Sequence, residues 1–275
     1  MAEAETGVCD TGRYQCAYVC WGKGPPLLFI PGLHGAANSF TLLMAHLVAH
    51  FQCIAYDLPM GQDDGAVLST YRHADFAADA LALLDHLGIE RSYVFATSFG
   101  GTIALRALQA APQRLPRAIL QAGFAHRPLA PAEVLLARMS RRWRRPLGTL
   151  PFFADFLSRV HYPPFADKPP EVWQAFVAHC GAPLIAAIAH RALLLHRFDM
   201  RPALPAIRQP ILLVGGDSDP LVRWRHEGEL ARGLPHARRV QLTNCGHYPR
   251  FTHPDALAQV IQQFLTPQPA AGSGE

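Results

Sequence analysis

The stretch SYVFATSFGGTIALRALQAA, residues 92–111, reads as three pieces in succession. An apolar run over 92–96 fits a buried strand, and from Gly100 to Ala111 apolar residues recur at helical spacing. Between them stands Ser98, with small residues two places before it (Ala96) and two places after it (Gly100). A serine in so abrupt a strand-to-helix turn has its hydroxyl exposed, and small neighbours let the adjoining chains approach closely. The helix that begins near Ser98 also directs its positive end toward any negative charge developing there. Ser-x-Gly triplets are frequent, so the turn alone does not decide the chemistry.

Working outward, residues 25–30 (PPLLFI), 52–56 (QCIAY), 117–121 (RAILQ), 210–214 (PILLV) and 238–242 (RRVQL) read as further strands, each followed shortly by Gly, Pro, Asp, Asn or Ser. Amphipathic stretches such as 73–87 alternate with them. That alternation predicts an α/β fold with a mostly parallel sheet covered by helices on both faces. GRYQCAYVC, residues 12–20, alternates well enough for an N-terminal antiparallel strand, which makes the sheet mixed.

Residues 125–202 break the rhythm. PAEVLLARMSRRWRR, LPFFADFLSRV, PPEVWQAFVAHC and PLIAAIAHRALLLHRF are helix-like pieces bounded by prolines or glycine, with no strand between them. The expectation is a core over 1–124 and 203–268, a helical cap inserted at 125–202, and a disordered tail over 269–275.

Half of the 275 residues are hydrophobic and 17% are charged, which suits a well-packed interior. The net charge of +4 owes much to Arg141, Arg142, Arg144 and Arg145, which read as a solvated helix face rather than a nucleic-acid site. No nucleic-acid motif accompanies them. Six cysteines lack the density of a disulfide framework and the paired spacing of a zinc site. The first residues lack a signal peptide's basic and apolar regions, and no apolar run reaches the roughly 18 residues that span a bilayer. A cytoplasmic setting with no metal and no cofactor is therefore expected.

Two later segments bear on Ser98. In GGDSDPLV, residues 215–222, a carboxylate just past a strand end can accept an imidazole N–H and hold the ring in the useful tautomer. Both aspartates qualify; Asp219, ahead of Pro-Leu-Val, is preferred, leaving Asp217 as a turn-former. In NCGHYP, residues 244–249, His247 lies on a glycine-preceded loop from which it can serve as general base. The remaining histidines, including His34, His126, His161 and His196, are assigned to surface or packing roles.

Serine, aspartate and histidine, in that chain order and each directly after a strand, resemble the α/β-hydrolase family. The resemblance extends from Pro31-Gly32-Leu33 through Asp57-Leu58-Pro59 and Ser98 to Asp219 and Gly246-His247. It implies a sheet of about eight strands and a catalytic triad of Ser98, Asp219 and His247. It also implies an oxyanion hole formed by the backbone amides of Leu33 and Phe99. Pro31 replaces the family's usual histidine, and Met60 and Gln62 replace glycines after Asp57, which is read as structural. Serine rather than aspartate at the turn disfavours dehalogenase and epoxide hydrolase chemistry. The resemblance is to carboxylesterase-like members acting on a small-molecule ester, and the apolar cap, rich in Leu, Phe and Trp173, suggests an apolar acyl or aromatic group. Carbon–carbon bond hydrolase, thioesterase, amidase or peptidase and perhydrolase chemistry, or a receptor role, remain as alternatives.

Overall fold

A computed structural model describes residues 3–266 of the chain, so the tail expected at 269–275 lies outside the described residues. Eight strands form one sheet in the order β1-β2-β4-β3-β5-β6-β7-β8. They span Glu5–Asp10, Gln15–Trp21, Pro26–Ile30, Gln52–Tyr56, Tyr93–Thr97, Ala118–Gln121, Ile211–Gly216 and Ala237–Leu242. From β3 onward all neighbours are parallel, while β1 and β2 run antiparallel at one edge. The sheet is thus mixed and mostly parallel, as the alternation predicts.

The strand runs are nearly continuous in apolar residues because both faces are covered. Leu28, Ile54, Val94, Leu120 and Leu213 face one side, packed with Phe76 and Leu83 of α2 (His73–His86) and Phe99 and Ile103 of α3 (Phe99–Ala110). Their neighbours Phe29, Ala55, Phe95, Ile119 and Val214 face the other. There they meet Leu43 of α1 (Thr41–Ala45) and Leu257 and Ile261 of α10 (Pro254–Leu265). α8 (Trp224–Gly233) and the short α9 (Pro249–Thr252) complete the helices outside the β6–β7 connection.

Between β6 and β7 run α4 (Pro131–Ser140), α5 (Phe153–His161), α6 (Pro170–Gly181) and α7 (Ile185–Arg197), with no strand among them. Phe176 and Cys180 of α6 pack on Tyr248 and Phe251, beside His247. One expectation needs correcting. The arginine run 141–145 is exposed, but it is not a helix face, because α4 ends at Ser140. Four like charges in five residues disfavour a continuing helix, and Pro146 pushes the residue before it out of the helical region.

Candidate active site

β5 delivers Ser98 at the carboxyl edge of the sheet, and α3 starts on the next residue. Ser98 holds φ 53°, ψ −116°, a conformation that L-residues seldom adopt and that persists only when the surroundings over-determine it. Those surroundings are on view. The Ser98 amide donates to the Gln121 carbonyl (2.9 Å), and its own carbonyl accepts from the Gly101 amide (2.9 Å). A Cβ on Gly100 would sit 2.4 Å from the Ile30 carbonyl oxygen and 2.6 Å from that of Pro31, so the close approach of β3 to α3 requires glycine.

The loop after β3 carries Leu33, half-buried, on a turn closed by the Gly35 amide donating to the Gly32 carbonyl (3.0 Å). From α7, the fully buried Arg191 reaches across to this turn. Its guanidinium donates to the carbonyls of Leu33 (2.6 Å), Pro59 (2.9 Å) and Leu58 (3.3 Å). Gly35, at φ +77°, must lack a side chain for two reasons, since a Cβ there would meet Arg191 Nη1 at 2.5 Å. Asp57 accepts from the Ala37 amide (2.7 Å), a structural role. The segment after it is organised by Asp64, whose carboxylate collects the amides of Met60, Gly61 and Ala66.

Asp219 and His247 meet directly: His247 Nδ1 lies 2.6 Å from Asp219 Oδ2, and both side chains are buried. The other carboxylate oxygen accepts from the amides of Leu221 (2.8 Å) and Val222 (2.9 Å). Burial opposes the charge on Asp219, but the His247 contact and these two amides outweigh it and hold the carboxyl below the usual carboxylate range. A carboxylate at Nδ1 places the ring proton there, which leaves Nε2 as the basic nitrogen. Asp217 does more than shape its own turn. It accepts from the amides of Asn244 (2.9 Å) and Cys245 (3.0 Å), tying the loop after β7 to the loop that carries His247. A Cβ on Gly216 would lie 2.1 Å from the Cys245 carbonyl oxygen, so this crossing needs glycine as well.

Ser98, Leu33 and His247 line one cavity of about 400 Å³. The Ser98 hydroxyl makes no hydrogen bond among the described residues, so serine and imidazole share a wall rather than a hydrogen bond. Phe99 is fully buried at the first position of α3, where helix amides lack intrahelical acceptors. Much of the remaining lining is apolar and comes from the β6–β7 insertion, including Leu136, Trp143, Leu147, Ile185 and Ile188.

Sequence reasoning passed over three side chains at this site. His34 lines the cavity and is held neutral, its pKa pushed down to about 3 by burial first and by the Arg250 and Arg191 charges next. Arg191 and Arg250 are buried cations in a chain whose arginines otherwise read as surface. Neither shows its burial locally: Arg191 follows His190 in a helix that also carries His196 and Arg197, and Arg250 lies between Pro249 and Phe251.

Behind Asp219 lies Glu227 of α8, buried against Gly215 with neither carboxyl oxygen hydrogen-bonded among the described residues. Burial first, and the Asp219 charge second, push its carboxyl up to about 8. The folded chain therefore keeps a proton that the unfolded chain gives up near 4.5, so the contribution of Glu227 to stability falls as pH rises from about 4.5 to about 8, against the opposite trend of buried histidines such as His34 and His73. Glu227→Gln is expected to abolish that decline. Parent and variant should melt alike near pH 4, with the variant ahead by on the order of 3 kcal/mol at pH 8. A gap that does not change with pH in thermal melts would contradict this account.

A sequence model described as the alpha/beta hydrolase fold matches residues 25–254. The chain belongs to the α/β-hydrolase fold family. Among characterised relatives, it is 31% identical over 254 residues to polyketide synthase ThaQ of Burkholderia thailandensis, an alignment covering 89% of this chain and 12% of that protein. It is 29% identical over 265 residues to a pimeloyl-[acyl-carrier protein] methyl ester esterase of Xanthomonas oryzae pv. oryzae, covering 90% of this chain and 98% of the relative. Among solved structures, a hydrolase from Pseudomonas aeruginosa superposes with a TM-score of 0.84 at 22% identity, over 96% of this chain and 99% of the other.

Proposed function

We propose that this chain is a serine hydrolase that cleaves a small to medium carboxylic ester through an acyl-enzyme intermediate. Ser98 is the nucleophile, His247 takes its proton and returns it to the leaving group, and Asp219 orients His247. The amides of Leu33 and Phe99 are the oxyanion donors, and residues 125–202 form the cap over the cavity. The observation that carries this reading is the buried 2.6 Å Asp219–His247 pair, with His247 lining the same cavity as Ser98. The relative named as a methyl ester esterase favours the ester among acyl substrates. The apolar lining and the volume of about 400 Å³ favour an apolar acyl or aromatic group of modest size.

The test is a series of p-nitrophenyl esters from acetyl to dodecanoyl, run beside matching thioesters and anilides. An initial burst of p-nitrophenol is expected, with kcat/KM highest for short to middle acyl chains and falling for the longest. Turnover of anilides or thioesters with no ester activity would overturn the ester assignment.

A further inference from the structure

A cation inside a protein is costly unless an anion or a full set of acceptors meets it. Two buried arginines, Arg250 in the cavity wall and Arg191 behind the Leu33 turn, solve this problem differently. Arg191 places its two Nη groups on three backbone carbonyls, and only its Nε lacks a partner among the described residues. Arg250, 3% exposed and three residues after His247, has no such set of acceptors. Nη1 donates one long bond, 3.4 Å, to Thr97 Oγ1, and Nε has no partner among the described residues. No carboxylate among those residues lies within ion-pair distance.

What surrounds Arg250 is aromatic. Its guanidinium carbon lies 4.9 Å from the ring centre of Tyr248, 5.4 Å from Phe251 and 5.7 Å from Phe40. Ring faces stabilise the cationic plane but leave the in-plane N–H donors unused. The side chain lines the cavity that holds Ser98 and His247, and its one hydrogen bond goes to the residue just before Ser98. The other charged side chains on the wall, Arg127 and Glu133, are less buried, and each is already bonded to backbone. Burial lowers the pKa of Arg250 to about 10, which leaves it charged at neutral pH.

We infer that Arg250 is an anion subsite, and that the substrate of this enzyme carries a carboxylate which its guanidinium binds, as in a monoester of a short dicarboxylic acid. This rests on the ester reading above and narrows it. The apolar walls take the rest of the molecule, while Arg250 offers a planar fork of donors that matches a carboxylate.

The test starts from Ser98→Ala, which removes turnover, and compares binding of monomethyl succinate with its neutral counterpart methyl butyrate by calorimetry. The acid should bind at least about tenfold more tightly, the scale of a charge-assisted contact. Adding Arg250→Gln should bring the ratio near one, and Arg250→Lys, which keeps the charge but not the fork, should give an intermediate ratio. Melting curves and circular dichroism report whether each variant folds. If Arg250→Gln does not fold, the lysine variant and the preference of the Ser98→Ala parent still decide the matter. No preference in the parent, or one that survives Arg250→Gln, overturns the proposal. Turnover of the same pair by the unmodified enzyme separates the two readings: if neither ester is cleaved, the hydrolase assignment fails while the binding result stands.

Discussion

Replacing Ser98 by alanine is expected to lower kcat toward p-nitrophenyl esters by at least about three decades, roughly 4 kcal/mol of barrier, while the protein stays folded. The size follows from what is lost. On the proposed mechanism, no acyl-enzyme forms without the hydroxyl, and only the cavity and the proposed oxyanion amides are left to act on water. Stability should hardly change, because Ser98 is only half-buried and its Oγ makes no hydrogen bond among the described residues. Alanine must still occupy φ 53°, but serine bears that strain already. Labelling by a fluorophosphonate should vanish in the variant. Retention of most activity would remove Ser98 from the mechanism.

Asp219→Asn is expected to be nearly as severe, with kcat down by about three decades or more. The carboxylate touches His247 Nδ1 at 2.6 Å, so the imidazole proton is held there and Nε2 stays basic. An asparagine that turned its amide nitrogen toward the ring would stabilise the opposite tautomer, with the proton on the side that must receive one. In a serine protease this exchange costs about four decades in kcat with the geometry preserved. Oδ1 keeps its place because it accepts from the amides of Leu221 and Val222, which fixes the side chain and exposes the ring to whichever group replaces Oδ2. Fluorophosphonate labelling of Ser98 should slow in parallel with turnover. Normal labelling with slow turnover would move the role of Asp219 to the later, water-dependent half of the reaction.

How much of this was legible in the sequence varies by element. The central strands announced themselves because a strand covered on both faces becomes an unbroken apolar run, as in PPLLFI and PILLV. The first strand, ETGVCD, did not. It lies at the sheet edge, mostly exposed, and its mixture of charge, glycine and valine resembles a loop. Ser98, Asp219 and His247 were readable because chain order and strand ends are local properties. Arg191 and Arg250 were not, since nothing local shows that a cation will be buried. That depends on which carbonyls or rings the fold brings to it from far along the chain, as with Leu33, which lies 158 residues from Arg191. Asp217 was half-read: its turn is local, but its grip on residues 244 and 245 is not.

The Arg191 contacts also bear on how such a molecule can be re-engineered. Swapping the β6–β7 insertion for another is the obvious way to alter selectivity, and a splice at its two ends looks harmless on a connectivity diagram. Yet the guanidinium that holds the Leu33 turn comes from within the transplanted piece. A donor lacking an arginine there would leave three carbonyls without that partner and free the turn beside Ser98. The working border between exchangeable roof and fixed machinery therefore runs through the middle of α7, and a chimera should retain that helix from the recipient.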